Sequence, residues 1–189
     1  NLDLQILLFN NRIYGLTKGQ YSPTSEVGKV TKSTPVGSAD HPVDPASFAM
    51  GANATFVARS IDTEAQHLAE VLRRAAKHSG TAFLEIYQNC NVFNDGAFDA
   101  FTDKAVRAER QVGVGHGKPL LFGTDNDKGL VLNPKTLTLE VVQVGEGGRP
   151  LDDILVHDET NPTFVQMLAR MPFPEFPVAL GVLHVLTRP

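Results

Sequence analysis

The sequence predicts an α/β fold built on a doubly wound, mostly parallel sheet, and three observations carry that reading. Residues 2–9 (LDLQILLF) are almost continuously apolar, as in a strand buried on both faces of a parallel sheet. Residues 63–78 place Leu68, Val71, Leu72 and Ala75 at helical spacing. Across the first hundred residues, strand and helix patterns alternate, which is the signature of βαβ units.

Taken in order, the first strand ends in Asn10-Asn11, polar side chains at the carboxyl end, where open α/β sheets bind ligands. Residues 15–45 are rich in Gly, Pro, Ser and Thr and keep no period, so they form a long loop of the kind that is usually functional. A short helix follows, with Asp44 as N-cap, Pro45 at its first position and Gly51 just past its end. Residues 54–59 (ATFVAR) form the second strand. Thr63 and Gln66 make a capping box for the long helix, Gly80 closes it, and residues 81–87 (TAFLEIY) form the third strand. Beyond residue 100 the pattern changes. Residues 97–110 read as helical, and residues 120–122, 129–132 and 137–144 as short strands. A helix capped by Thr160 or Asn161 runs from Pro162 to Met171, and residues 178–186 form a last strand.

The 189 residues are 42% hydrophobic and 20% charged, enough apolar material for a real core. A net charge of −4, with basic residues scattered, excludes the footprint of a nucleic-acid binder. No apolar run reaches the roughly 18 residues that a membrane helix needs. The single cysteine, Cys90, excludes a disulfide framework and fits a reducing, cytoplasmic setting. The chain enters an apolar segment at once, without methionine or a signal-peptide pattern, so Asn1 reads as a cut and not as a natural start.

Two strand ends carry chemistry. In Phe9-Asn-Asn-Arg-Ile-Tyr-Gly-Leu-Thr-Lys-Gly-Gln20, a strand tip offers an amide oxygen and a backbone carbonyl two residues apart. Mg²⁺ takes near-octahedral oxygen ligands, and such a tip supplies two of them. Gly15 would let backbone come close to an anion. Read by itself, the element is equally a common Asn-Asn turn. After the third strand comes Gln88-Asn-Cys-Asn-Val-Phe-Asn-Asp95, which puts Cys90 on the same edge as Asn11. A lone cysteine is usually a small buried thiol, whereas an iron–sulfur cluster takes four thiolates. Lys18 is either a contact for a substrate carboxylate or a solvated loop lysine. The six histidines show no i, i+4 pairing. Gly113 to Gly117 reads as a flexible turn, not a phosphate loop, and the acidic residues at 152, 153, 158 and 159 as caps and solvated charge.

The string from Ile13 to Gln20 with Ser22-Pro23-Thr24, together with the Asn-Cys-Asn at 89–91, resembles the β subunits of 2-oxoacid:ferredoxin oxidoreductases. The resemblance implies the thiamine-diphosphate-binding fold. Residues 1–100 would be the C-terminal half of that domain and residues 101–189 a C-terminal extension packed on it. It implies Asn11 and the Ile13 carbonyl as Mg²⁺ ligands, with Gly15 and Leu16, and more weakly Thr17, on the diphosphate. Lys18 would meet the substrate carboxylate, and Cys90 would be one ligand of a [4Fe–4S] cluster. The Gly-Asp-Gly half of the cofactor motif and the remaining cysteines are missing from this sequence, so each cofactor site is incomplete or absent and the piece alone is inactive. The implied parent enzyme decarboxylates a 2-oxoacid, most like 2-oxoglutarate, to its acyl-coenzyme A and passes electrons through the cluster to ferredoxin. The implied partner is an α (or fused α/γ) subunit. Two alternatives stand beside it: a non-oxidative thiamine-diphosphate enzyme, and a non-catalytic piece that serves only as a subunit interface.

Overall fold

A computed structural model describes residues 2–187. Strand β1 (Leu4–Asn10) leads through the long loop to helix α1 (Pro45–Gly51), then β2 (Phe56–Ile61), α2 (Ala65–Lys77) and β3 (Thr81–Tyr87). The three strands pair in parallel in the order β1-β3-β2. Two short helices follow, α3 (Asp99–Thr102) and α4 (Arg107–Arg110), then β4 (Gln111–Val114), β5 (Leu121–Phe122), β6 (Lys128–Asn133), β7 (Thr138–Gln143), α5 (Pro162–Ala169) and β8 (Val178–Val185). β8 returns antiparallel beside β2 and carries β4 on its far side, which completes a five-stranded sheet, β1-β3-β2-β8-β4. The part after residue 100 therefore adds two strands to this sheet and also forms a three-stranded sheet of its own, β5-β6-β7.

Alternating side chains cover both faces of the large sheet, as a doubly wound fold requires. Phe56, Ala58, Ala82, Leu84 and Ile86 pack against Val71 and Ala75 of α2. The opposite face, with Val57, Phe83, Val112 and Leu183, packs against α1, α5 and the small sheet. Two caps form as the sequence indicates: Asp44 accepts from the Ser47 amide at 2.6 Å and Asn161 from the Phe164 amide at 3.1 Å.

Four local expectations are corrected. β1 is the edge strand, so its apolar side chains are not buried on both faces: Leu4, Ile6, Leu7 and Phe9 are 40–54% exposed. The capping box at Thr63 does not form, because α2 begins at Ala65 with no side-chain cap. The helix expected over residues 97–110 breaks at Asp103, whose backbone leaves the helical region (φ −58°, ψ 135°) and whose carboxylate accepts from the Ala105 amide at 2.8 Å. Gly113 and Val114 belong to β4 and not to a flexible turn, with Val112 and Val114 buried in alternation.

Of the acidic residues read as caps and solvated charge, one differs: Glu159 is buried. It is 9% exposed and receives Arg74 through both carboxylate oxygens, at 2.9 and 3.1 Å. His157 is 1% exposed, and its Nε2 lies 3.0 Å from the Val182 carbonyl. Burial lowers the pKa of His157, and likewise those of His67 and His78.

Two outcomes follow from these contacts. In β8, Gly181 has φ +130°, and a methyl there would run into the Val114 carbonyl. Gly181→Ala should cost about 1–3 kcal/mol in chemical denaturation, the scale of a strained backbone position. The lowered histidines make stability fall with acid. Unfolded chains take up a proton near pH 6.5 that the folded state resists, so stability is complete above about pH 7 and declines as pH drops below about 6.5. Denaturation curves measured at about pH 5 to 8 should show that decline, and His157→Gln should flatten it.

Candidate functional site

The tips of β1 and β3 lie side by side, in parallel register through Asn10 and Tyr87, and the Gln88 amide donates to the Asn10 carbonyl at 3.0 Å just past the strands. Asn10, the last residue of β1, and Asn11 just past it face different ways. Asn10 turns inward and is 5% exposed. Its Nδ2 donates to Glu85 Oε1 at 2.7 Å, while its Oδ1 accepts from the Arg12 amide at 3.1 Å and the Thr24 hydroxyl at 2.7 Å. Asn11 is half-buried, and its Oδ1 accepts from the Ile13 amide at 3.2 Å in a local Asx turn. Between them Arg12 adopts φ +55°, a left-handed conformation uncommon for a residue with a Cβ. The Ser25 hydroxyl donates to the Arg12 carbonyl at 2.5 Å, tying the long loop to the turn.

The chain then closes on itself. The Tyr14 amide donates to Gln20 at 2.8 Å, and the Gly19 amide to Tyr14 at 3.0 Å, with left-handed Lys18 and Gly19 making the reversal. At the tip Leu16 is fully exposed, and the Thr17 hydroxyl donates to the Tyr14 carbonyl at 3.3 Å. The amides of Gly15, Leu16 and Thr17 make no backbone hydrogen bond among the described residues. Lys18 is exposed and borders a surface hollow of about 440 Å³ with Val30, Lys32, Val92 and Phe93.

Asn94 joins the two tips. Its amide nitrogen Nδ2 donates to the Asn11 carbonyl at 2.9 Å, its Oδ1 accepts from the Lys29 ammonium, and its backbone N–H donates to the Cys90 carbonyl at 2.9 Å. Cys90 is thereby held against the turn. A methyl on Gly15 would stand 3.7 Å from Cys90 Sγ and one on Gly19 3.0 Å from Phe93. Asn11, Gly15, Lys18 and Cys90 thus share one edge, while Leu16 and Thr17 project from it.

The donor chemistry is mixed. The Asn11 side-chain oxygen and the Ile13 carbonyl are hard oxygens of the kind Mg²⁺ takes, and they supply only part of an octahedral shell. No group of three or more His, Cys, Asp or Glu side chains able to hold a metal occurs among the described residues. Cys90 is one thiolate where an iron–sulfur cluster takes four. The residues fit these groups in kind and not in number.

A second feature escaped the sequence reading. Glu85 and Arg59 face each other in the β2–β3 register at 0% and 4% exposure, with Arg59 Nε donating to Glu85 Oε2 at 2.8 Å. Arg59 Nη2 donates to Asp44 at 3.1 Å, and its guanidinium sits 5.7 Å above the Tyr87 ring. Burial works against the Arg59 charge, but Tyr87, Glu85 and Asp44 outweigh it and raise its pKa. These groups and Asn10 line a cavity of about 320 Å³, together with Leu168 and Phe173. One signal was available: oppositely charged residues interrupt two adjacent apolar strands, each two residues before the strand ends.

Comparison with known proteins gives this edge its context. Residues 1–86 match the family model "Thiamine pyrophosphate enzyme, C-terminal TPP binding domain". The 2-oxoglutarate oxidoreductase subunit KorB of Mycobacterium tuberculosis is 48% identical over 192 residues, which take in 100% of this chain and 50% of that protein. Over its whole length the chain is similar to a β subunit of the 2-oxoacid:ferredoxin oxidoreductase type. Another such β subunit, from Saccharolobus solfataricus, is 40% identical over 106 residues, covering 56% of this chain and 35% of its own length. The chain spans about half the length of the Mycobacterium relative. The fold is shared with a 2-oxoglutarate:ferredoxin oxidoreductase from Magnetococcus marinus, solved with 2-oxoglutarate, coenzyme A and succinyl-CoA bound. The TM-score is 0.67 and the identity 24%, over 99% of this chain and 48% of that one. No helix among the described residues is long and apolar enough to cross a membrane.

Because Asn94 is buried and joins both tips, Asn94→Ala should loosen the Cys90 loop and cost about 1–3 kcal/mol, the scale of a buried hydrogen-bonding group left without its partner. With one cysteine in the chain, the rate of reaction with a thiol reagent reports directly on that loop, and it should rise in the variant.

Proposed function

We propose that this chain provides one wall of the cofactor site in a 2-oxoacid:ferredoxin oxidoreductase, an enzyme that converts a 2-oxoacid, 2-oxoglutarate in this case, into its acyl-coenzyme A. The observation that carries the reading is the contact between the two strand tips. The Asn11 turn and the Cys90 loop form one hydrogen-bonded unit through Asn94, with Gly15 facing the sulfur. A non-oxidative thiamine-diphosphate enzyme would have use for the turn but no evident use for a thiol held beside it.

On this reading the Asn11 side chain and the Ile13 carbonyl hold Mg²⁺ on the diphosphate, completed by oxygen ligands from outside these residues. The free amides of Gly15, Leu16 and Thr17 donate to the diphosphate oxygens, and left-handed Lys18 presents its ammonium to the substrate carboxylate. When bound, thiamine diphosphate supplies the carbanion chemistry that releases CO₂ from a 2-oxoacid. This chain's part would be to fix its phosphate end and to place one thiolate, Cys90, as a ligand of a [4Fe–4S] cluster, which would supply one-electron transfer toward ferredoxin. The half-length match to the relatives accords with an α (or fused α/γ) partner and further chain completing the site. The names of the Mycobacterium relative and the Magnetococcus structure favour 2-oxoglutarate as substrate. The lone reduced thiol suits a cytoplasmic setting.

In the complete enzyme, Cys90→Ser should remove bound iron and the cluster's visible absorbance, while Asn11→Ala should weaken Mg²⁺-dependent binding of thiamine diphosphate with the iron content unchanged. Full iron content in the Cys90 variant, or unaltered Mg²⁺ dependence in the Asn11 variant, would count against the corresponding assignment.

A further inference from the structure

The buried Arg59–Glu85 pair sits beneath the Asn-Asn turn and, among the described residues, makes no hydrogen bond to Asn11 or Ile13; its geometry fixes which way Asn10 faces. An asparagine side chain has a donor end and an acceptor end of nearly the same shape, so its surroundings decide the orientation. Here Arg59 Nε occupies Glu85 Oε2 at 2.8 Å, and Glu85 Oε1 is left to accept from Asn10 Nδ2 at 2.7 Å. Asn10 must then present its oxygen to the other side. That oxygen receives the Thr24 hydroxyl at 2.7 Å and the amide of left-handed Arg12 at 3.1 Å. Arg12 is the residue between Asn11 and Ile13.

We propose that Glu85, backed by Arg59, is a positioning residue for the metal-binding turn: through Asn10 it holds the Arg12 amide, and so aims the Asn11 side chain and the Ile13 carbonyl. The inference deepens the proposed function and rests on Asn11 and Ile13 being the Mg²⁺ donors. Its physical basis is the polarity of the hydrogen-bond chain. Charge on Glu85 makes that side acceptor-only, and charge-assisted bonds of this kind are stronger than neutral ones. Asp44 at 3.1 Å and the Tyr87 ring hold Arg59 in place, so the direction is set from the sheet interior outward. Groups that orient a metal's ligands without touching the metal typically change its affinity by roughly 10- to 100-fold when altered.

The test exploits the reversibility of that polarity. In Glu85→Gln the new amide gives its oxygen to Arg59 and its NH₂ to position 10, so Asn10 must flip and the Arg12 amide loses its acceptor. In Asn10→Asp the acceptor toward Arg12 is kept, but two carboxylates collide. Combining Asn10→Asp with Glu85→Gln conserves total charge and restores the full pattern: the glutamine NH₂ donates to the carboxylate at position 10, which still accepts from Arg12 and Thr24.

Mg²⁺ titrations at fixed thiamine diphosphate, on the complete enzyme, give the half-saturating Mg²⁺ concentration, and melting curves monitor the fold. Amide hydrogen exchange over residues 11–13 without metal gives a readout independent of activity. Each single variant should raise half-saturating Mg²⁺ by roughly 10- to 100-fold and speed exchange at residues 11–13, and the double variant should return both to near the parent values. Folded single variants with parental Mg²⁺ binding would overturn the inference. So would a folded double variant as defective as the singles. If a single variant does not fold, the double alone decides, through its own Mg²⁺ affinity. Asn11→Ala serves as the reference. If it binds Mg²⁺ like the parent, the proposed function falls and the inference with it; if it is impaired while the Glu85 series is silent, only the inference falls.

Discussion

A single buried ion pair organises the carboxyl edge of the sheet. Arg59 and Glu85 are opposite each other on β2 and β3 and are almost fully removed from water. Placing two charges there is costly unless every remaining donor and acceptor is used. Here each of the three guanidinium nitrogens and both carboxylate oxygens has a partner. Asp44, the N-cap of α1, takes one guanidinium nitrogen, the Ala169 carbonyl at the end of α5 lies 3.5 Å from another, and Asn10 takes the free carboxylate oxygen. β1, β2, β3, α1 and α5 are therefore tied together at one point. Removing Arg59 would leave Glu85 buried without a cationic partner, which typically costs about 3–5 kcal/mol, whereas Arg59 would keep Asp44 if Glu85 were lost.

From that point outward, order passes to two loops that would otherwise have little to hold them. The turn after β1 contains left-handed Arg12 and Lys18, conformations that persist only where neighbours enforce them. Asn10 and Ser25 enforce the first, and the Tyr14–Gln20 bridge the second. Asn94 then couples the turn to the Cys90 loop. A rigid sheet edge with two short, mutually bonded loops is the arrangement in which a bound group can be approached by backbone from one side and by sulfur from the other.

Much of this could be read from the residues. The parallel strands, the α2 helix, the caps at Asp44 and Asn161, and the neighbouring positions of Asn11 and Cys90 all follow from periodicity and from the rule that strand ends share an edge. The less legible parts have physical causes. β1 looks like a central strand because its composition reports what packs on it, and composition does not say which flank is open. β4 is four residues long with a glycine inside, too short for a period to show. Glu85 and Arg59 read as surface charge in isolation. Only pairing β2 with β3 in register reveals that each cancels the other. The roles given to Lys18, Leu16 and Thr17 came from resemblance and not from pattern, since an exposed loop leaves no packing imprint in its sequence.

The open flank of β1 has a practical consequence. Along residues 4–10 the outer row of backbone donors and acceptors has no partner strand among the described residues, and the side chains beside it include Leu4, Ile6, Leu7 and Phe9. An open, apolar border of that kind is a template for another extended segment. When these residues are prepared by themselves, concentration will favour stacking of one copy on the next through strand addition. Solubility then depends on keeping that border occupied or charged.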